Sequence, residues 1–245
     1  MRILAVENMV GTDHGLVGEA LQQSGIVPVV CRPYDGDALP DGHGDFDALI
    51  VFGGAQNALD DEAHPYLPSL ARLMRDFGDC GKAVLGICLG SQVLARAYGG
   101  ANVVGGATEF GWCAIAPTPE GMRDPLLAGL ADGFRAFEWH DDTFTLPPGA
   151  VHLATGVAVA NQAFRVGEAA YGFQCHFEAG TSVVEHWSTE FADAALRMDP
   201  DWLRRHPVEA ALHGGPAHAT GMAIAHAWIA VARRQASRLS TAMAV

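Results

Sequence analysis

The sequence predicts an α/β fold with a doubly wound, mostly parallel open sheet and flanking helices. In the N-terminal part, short apolar runs alternate with segments of helical periodicity, and this alternation is typical of parallel sheets. Residues 83–87 are apolar except for one glycine, as expected for a strand that is buried on both faces. A chain of 245 residues is also long enough to bury a large core.

Seven elements are predicted before residue 100, in the order strand 2–6, helix 16–23, strand 27–31, strand 48–52, helix 65–77, strand 83–87 and helix 89–98. The last helix is followed by Gly99 and Gly100, a usual stop signal. In parallel sheets, binding sites form beyond the carboxyl ends of the strands. Gly53, Gly54 and Cys88 each follow a predicted strand, so we expect them at the same edge of the sheet.

After residue 100 the pattern changes to short strand-like runs at 103–104, 112–116, 134–139, 151–154, 157–159, 163–166 and 170–177. Helical patterns follow at 181–196, 201–205 and 218–238. We expect one domain over residues 1–190 and a C-terminal helical extension, residues 191–245, packed on the same domain. Three roles stay open for its last part: filling the core, covering a site, or forming the contact of a homodimer.

Cys88 lies at the predicted turn from strand to helix. Gly86 and Gly90 flank it two residues away on either side, and small neighbours let the strand and the helix approach closely at a strained turn. A helix N-terminus favours the thiolate form of a cysteine through its dipole and its free N–H groups. The alternative is a buried core cysteine, the commoner case for a free thiol. The flanking glycines favour a nucleophile.

The second informative feature is the pair of His176 and Glu178, at the end of the predicted strand 170–177. Alternate residues of a strand share a face, so the carboxylate can orient the imidazole. Such an imidazole acts as a base toward a thiol and as an acid toward a leaving amine. The alternative is an exposed polar strand end, since structural polar residues outnumber catalytic ones. Cys175 points to the opposite face and is assigned to the core.

Composition excludes several classes of function. The net charge of −13 argues against a nucleic acid or an anionic membrane as partner, because both require a basic patch. The five cysteines lack metal-ligand spacing and indicate a reducing compartment. A zinc site built from Cys88, Cys175, His140 and His176 is an alternative, but the sequence lacks the closely spaced paired-ligand motif of zinc sites. We find no signal peptide or membrane span, and we expect a cytoplasmic protein without metal or cofactor.

Two motifs, GICLGSQ at 86–92 and FQCHFE at 173–178, resemble those of the class I (triad) glutamine amidotransferases. The similarity spans residues 1–190 and includes the FGG turn at 52–54, EFGW at 109–112 and WHDDTFTLP at 139–147. Within the family, the sequence is most similar to stand-alone proteins that resemble the amidotransferase domain of GMP synthetase. The resemblance implies the flavodoxin-like fold of that family.

The resemblance also implies catalytic roles for three residues. Cys88 would be the nucleophile, His176 the acid and base, and Glu178 the carboxylate that orients the histidine. The thiol would attack the side-chain amide of glutamine, ammonia would leave, and water would cleave the γ-glutamyl thioester to glutamate. The backbone amides of Gly54 and Leu89 match the oxyanion positions of the family, and glycine lets the backbone approach the substrate closely.

Four further residues match family positions that hold the α-amino-acid end of glutamine. Gln92 lies one helical turn beyond Cys88. Glu109, Gly111 and Trp112 belong to a segment that contacts this end largely through its backbone. The alternative for this segment is a simple turn that leads into a strand.

Some positions depart from the family pattern and leave the choice of substrate open. Ala55 stands where the family has the proline of Gly-Gly-Pro. Cys175 and Phe177 replace the usual Phe and Pro on either side of the predicted catalytic histidine. The usual Trp-His-Gly-Asp has Asp141 in place of glycine, and we assign its His140 a structural role. None of these changes removes a member of the triad.

Three functions remain as hypotheses. The first is a glutaminase-type amidotransferase that supplies ammonia to a separate synthetase or acceptor protein, because residues 191–245 leave no room for a synthetase and no ATP motif is present. The second is a γ-glutamyl peptide hydrolase, which uses the same thioester and needs an open pocket beyond the scissile amide. The third is a non-catalytic binding or regulatory protein, favoured if the ring nitrogens of His176 lie out of reach of the Cys88 sulfur.

Overall fold

The computed structural model describes residues 1–130 and 132–243. Its strands are β1 (Ile3–Val6), β2 (Val29–Cys31), β3 (Ala48–Val51), β4 (Ala83–Ile87), β5 (Asn102–Val103), β6 (Glu109–Pro117), β7 (Phe134–His140), β8 (Thr143–Phe144), β9 (Val151–Gly156), β10 (Ala163–Val166) and β11 (Ala170–Phe173). Its α-helices are α1 (Gly15–Gln23), α2 (Leu67–Asp79), α3 (Leu89–Ala97), α4 (Thr181–Glu190), α5 (Ala192–Met198) and α6 (Trp202–Met243).

Nine strands form one open sheet in the order β2-β1-β3-β4-β11-β10-β9-β6-β7, and β5 pairs with β8 in a separate ribbon. The predicted α/β fold with a large open sheet and flanking helices is confirmed. Strands β1 to β4 and β11 pair in parallel, whereas β11, β10, β9, β6 and β7 pair antiparallel. The sheet is therefore half parallel rather than mostly parallel, because the later strands are joined by turns instead of crossover helices.

Two apolar cores cover the two faces of the sheet. Helix α1 and the C-terminal half of α6 pack on one face, where Val17, Leu21 and Trp228 are buried. Helices α2 and α3 pack on the other face, where Met74 and Val93 are fully buried. The indole N–H of Trp228 donates to the carbonyl of Val84 in β4, at 3.3 Å. Of the three roles left open for the C-terminal segment, the buried position of Trp228 in one of these apolar cores agrees with the first, filling the core.

Besides shifts of a few residues at element ends and the short unpredicted strand β8, the structure differs from the predicted elements in four places. Residues 201–205 and 218–238 belong to one continuous helix, α6, which contains Pro207 and Pro216. The predicted helix 181–196 is divided at Phe191 into α4 and α5. The predicted strand 157–159 is absent, and the predicted strand 170–177 ends at Phe173. In α6 the stretch between the two predicted helices contains two prolines and two glycines and gives little periodicity, and packing on the rest of the chain decides its conformation.

No helix within the described residues has both the length and the apolar character needed to cross a membrane.

Candidate active site

Cys88 is the single residue between β4 and α3, so strand and helix meet at its backbone. Its φ of 51° and ψ of −112° are unfavourable for an L-residue. In the part of the chain that the structure describes, no other non-glycine residue has a positive φ. A Cβ on Gly86 would lie 2.4 Å from the Gly90 carbonyl oxygen, and one on Gly90 would lie 2.1 Å from that of Val51. The predicted strained turn with obligatory small neighbours is thus confirmed.

His176 and Glu178 meet as predicted, but they do not share a strand face. Strand β11 ends at Phe173, and the His176 N–H donates to the Phe137 carbonyl oxygen at 2.8 Å in an isolated bridge to β7. The turn that follows brings the Glu178 Oε1 to 2.7 Å from the His176 Nδ1. Both side chains are buried, and so is Cys175. His176 and Glu178 therefore form the predicted pair, but a turn after β11 brings them together and not the alternation of residues along a strand.

The His176 ring is held beside Cys88 in a charged environment. Burial lowers the pKa of His176, but the charge of Glu178 and the neighbouring Cys88 outweigh it and raise this pKa well above its usual value. A raised pKa favours the imidazolium next to the thiol. A Cβ on Gly53 would lie 3.0 Å from the His176 Cε1 and 3.5 Å from the Cys88 Cβ. Glycine at this position therefore leaves room beside both side chains.

The two predicted oxyanion residues lie next to this pair. A Cβ on Gly54 would lie 2.8 Å from the Leu89 Cδ2 and 2.9 Å from the Asn8 Cβ, so glycine is required there by close packing. Leu89 is the first residue of α3, and its N–H is one of the donors that have no acceptor within a helix. The oxyanion role of these two amides stays a prediction.

A cavity of about 190 Å³ lies against Cys88 and His176. The residues that line it are Met9, Gly11, Thr12, Asp13, Phe52, Gly53, Gly54, Ala55, Cys88, Trp139, His176, Glu178, Trp187, Phe191 and Ala194. The Trp139 ring lies 6.4 Å, centroid to centroid, from the rings of both Trp187 and Phe191. The Trp187 ring meets the His176 ring edge to face at 5.1 Å. We call this space the aromatic cavity.

Sequence analysis assigned no functional role to Trp187, Phe191 or Ala194. The available signal was the spacing of the two aromatic residues, four apart in a predicted helix, which places them on one helix face. The spacing does not indicate which part of the molecule that face contacts.

Six buried polar side chains that do not line this cavity form a second group; we call them the polar cluster: Gln92, Glu109, Glu138, His140, Gln162 and Gln174. The Gln174 Nε2 lies 3.9 Å from the Cys88 Sγ, and the Gln92 Nε2 donates to the Gln174 Oε1 at 3.3 Å. The Gln162 Nε2 donates to the Glu109 Oε2 at 2.6 Å. The cluster therefore reaches from the nucleophile into the antiparallel half of the sheet.

His140 lies between the two carboxylates of the polar cluster. Its Nε2 is 3.4 Å from the Glu109 Oε2 and 3.3 Å from the Glu138 Oε2. Burial lowers the pKa of His140, but both carboxylates outweigh burial and raise it to about 10. Burial also raises the pKa of Glu138, a fully buried residue that sequence analysis missed because no motif includes it. A cationic His140 compensates the buried negative charge at neutral pH.

The same three residues could hold a metal ion by ligand type, since their ligand atoms lie within 4.8 Å of one another. Within the described ranges, the other such group is His43, Asp76 and Cys80. The four residues considered for zinc do not form such a group.

The four residues predicted to bind the α-amino-acid end of glutamine do not line the aromatic cavity. Gln92 and Glu109 belong to the polar cluster. Gly111 has a φ of +100°, and a Cβ on it would lie 3.6 Å from the Trp202 ring at the start of α6. The Trp112 ring packs against Phe137 at 5.6 Å. The binding role of these residues stays a prediction.

Comparison with known proteins extends these observations. The model of the family described as glutamine amidotransferase class-I matches residues 13–191. The chain is 36% identical over 170 residues to the glutamine amidotransferase-like protein YfeJ of Salmonella typhimurium, covering 66% of this chain and 71% of that protein. It is 34% identical over 127 residues to one of the subunits of the glutamine-hydrolysing GMP synthase of Haloarcula marismortui, covering 46% of this chain and 66% of that relative.

The solved structure of a glutamine amidotransferase from Methylobacillus flagellatus superposes with a TM-score of 0.79 at 28% identity, covering 94% of both chains. The family model and the relatives thus agree with the predicted resemblance. The chain belongs to the class I glutamine amidotransferase family.

Proposed function

We propose that this chain hydrolyses the side-chain amide of glutamine through a γ-glutamyl thioester on Cys88. The observation that carries the proposal is the 2.7 Å hydrogen bond between His176 and Glu178, beside a cysteine held in a strained turn. A nucleophile, a base within reach and a third group that orients the base are the parts of a triad.

The residues would act in two half-reactions. In the first, the Cys88 sulfur attacks the amide carbon, and the backbone N–H groups of Gly54 and Leu89 donate hydrogen bonds to the oxyanion that forms. His176 then protonates the nitrogen, which leaves as ammonia. In the second, His176 takes a proton from water, which cleaves the thioester to glutamate and restores the thiol. Glu178 stabilises the imidazolium in both steps.

The alternative of a non-catalytic protein has less support, because Cys88 is close enough to contribute to the raised pKa of His176. We also propose that the ammonia passes to a separate acceptor protein. The relative from Haloarcula marismortui is named as one of the subunits of a synthase, which supports such an arrangement. The division into residues 1–190 and a helical extension over residues 191–245 is part of the same proposal.

The test is glutamate release from glutamine by the wild type and by Cys88→Ala. We expect Cys88→Ala to lower kcat at least about 10⁴-fold, because the thioester cannot form. Cys80→Ala is the matched control, since Cys80 is an exposed free cysteine. Equal release by Cys88→Ala and the wild type would contradict the proposal.

A second candidate function is γ-glutamyl peptide hydrolysis. The aromatic cavity favours it, because the chemistry is the same and the space beside Cys88 exceeds what ammonia occupies. Glutamate release from γ-glutamyl dipeptides, compared with release from glutamine under the same conditions, separates the two candidates.

A further inference from the structure

The aromatic cavity has a composition that suits an apolar group. Its walls include the aromatic rings of four residues, Phe52, Trp139, Trp187 and Phe191, together with small and aliphatic side chains. The polar residues that line it are Thr12, Asp13, His176 and Glu178. Neither lysine nor arginine is among the described residues that line it. Of the lining residues, Asp13 forms a hydrogen bond with His186 at 2.7 Å, and His176 forms one with Glu178. A carboxylate placed in this cavity would thus find no free cationic partner.

The volume of the cavity also suits an apolar group. An apolar protein cavity of about 150 Å³ is large enough to bind benzene, and this cavity has about 190 Å³. If the leaving amine occupies this cavity, the ammonia released from glutamine would leave most of its volume unfilled. A ring or a branched alkyl group would fill it and bury apolar surface.

Besides His176, a polar side chain outside the cavity lies near Cys88. The Gln174 Nε2, 3.9 Å from the Cys88 sulfur, belongs to the polar cluster and is not among the residues that line the cavity. Cys88 therefore stands between a polar and an apolar surrounding. A substrate with a charged end and an apolar end would place the apolar end in the aromatic cavity, because burying an unpaired charge there costs more than burying a ring.

We infer that the aromatic cavity receives the amine portion of a γ-glutamyl amide whose nitrogen carries an apolar group, preferentially an aromatic one. The inference rests on the proposed thioester chemistry and names its substrate class. The Cys88 sulfur bonds to the γ-carbonyl carbon, the C–N bond breaks, and the amine leaves with a proton from His176. Water then cleaves the thioester, so that one amide and one water give glutamate and one amine.

The first experiment compares glutamine with γ-glutamyl methylamide, γ-glutamyl benzylamide and γ-glutamyl phenethylamide, by glutamate release from the wild type. The three substituted amides are all N-alkyl amides, so they differ chiefly in apolar size. We expect kcat/KM to rise from the methylamide to the phenethylamide by about tenfold or more, because burial of each methylene contributes about 0.8 kcal/mol. A decline of kcat/KM with size overturns the inference and leaves glutamine hydrolysis intact.

A pair of variants tests the location of the amine. Ala194 lines the cavity on α5, whereas Ala192 lies on the same helix and is not a lining residue. Ala194→Leu is expected to lower kcat/KM for the phenethylamide about tenfold more than kcat/KM for the methylamide, because the added side chain fills the cavity. Ala192→Leu is expected to change neither. Equal effects of the two variants on the phenethylamide contradict the assigned location.

Binding to Cys88→Ala separates this inference from the proposed function. Calorimetry on this variant measures affinity without turnover, with the methylamide and the phenethylamide as ligands. Tighter binding of the phenethylamide, by about tenfold, supports the inference even if the wild type hydrolyses neither compound. Equal binding, or no binding of either, overturns it.

Discussion

The polar cluster and the aromatic cavity, both near Cys88, differ in polarity. The polar cluster is buried, and its cationic His140, whose pKa is raised to about 10, lies within ion-pair distance of Glu109 and Glu138. The aromatic cavity is apolar and holds about 190 Å³ of space. Buried charges tolerate little change, because removal of one partner leaves another unpaired. An apolar cavity that is not filled tolerates substitution of its lining residues better than a buried charged cluster does. We therefore expect the polar cluster to control stability and protonation, and the aromatic cavity to control which amide is cleaved.

The largest effect is expected where the two regions meet, at the pair of His176 and Glu178. Glu178→Gln should lower kcat for glutamate release about 10²- to 10⁴-fold, because the imidazolium loses the charge that stabilises it. The pKa of His176, followed by NMR, should fall in the variant, since the charge of Glu178 raises it. Glu185→Gln, on an exposed position of α4, is the control. Unchanged kcat in Glu178→Gln would assign the pair a structural role only.

The next largest effect is expected on the free energy of unfolding, and it should distinguish the polar cluster from the aromatic cavity. His140→Gln removes the cation between Glu109 and Glu138 and should lower the free energy of unfolding by about 3–5 kcal/mol, the range for breaking a buried ion pair. Denaturant unfolding near pH 7 measures it. His226→Gln, at an exposed position on α6, should have little effect. If both variants are equally stable, the polar cluster does not control stability.

The pH dependence of unfolding gives a sharper test of the same cluster. The pKa of His140 in the folded chain, about 10, lies above its ordinary value of 6.5. Its stabilising contribution is thus fully present below about pH 6.5 and is lost as the pH rises toward 10. This group should reduce the free energy of unfolding by up to about 1.4 kcal/mol per pH unit between these values. The slope should be smaller in His140→Gln; an equal slope would locate the titration elsewhere.

The smallest effect on stability is expected in the aromatic cavity. Phe191→Ala should lower the free energy of unfolding by only about 1–2 kcal/mol, because the ring is half-buried. It should nevertheless raise KM for γ-glutamyl phenethylamide several-fold and change KM for glutamine little. Unfolding curves and steady-state kinetics on one preparation check both. A loss of stability as large as that of His140→Gln would remove the distinction between the two regions.

Much of the fold and of the candidate site was predictable from local sequence. Gly86, Cys88 and Gly90 combine a buried strand, a helix start and small residues within a few positions, and the structure has the turn that this combination predicts. The pair of His176 and Glu178 was also found, although a turn after β11 and not a strand brings them together. The continuous helix α6 was missed, because its middle part has little periodicity of its own.

The sequence by itself determined the succession of strands and helices before residue 100, the strained turn at Cys88 and the pairing of His176 with Glu178. These features depend on residues close together in the chain, where apolar periodicity and glycine spacing act directly. Only the tertiary structure decided that Glu109, Glu138 and His140 share a buried site and that Trp187 and Phe191 face Cys88. Such contacts join residues far apart in the chain, and local patterns carry no information about which distant surfaces will meet.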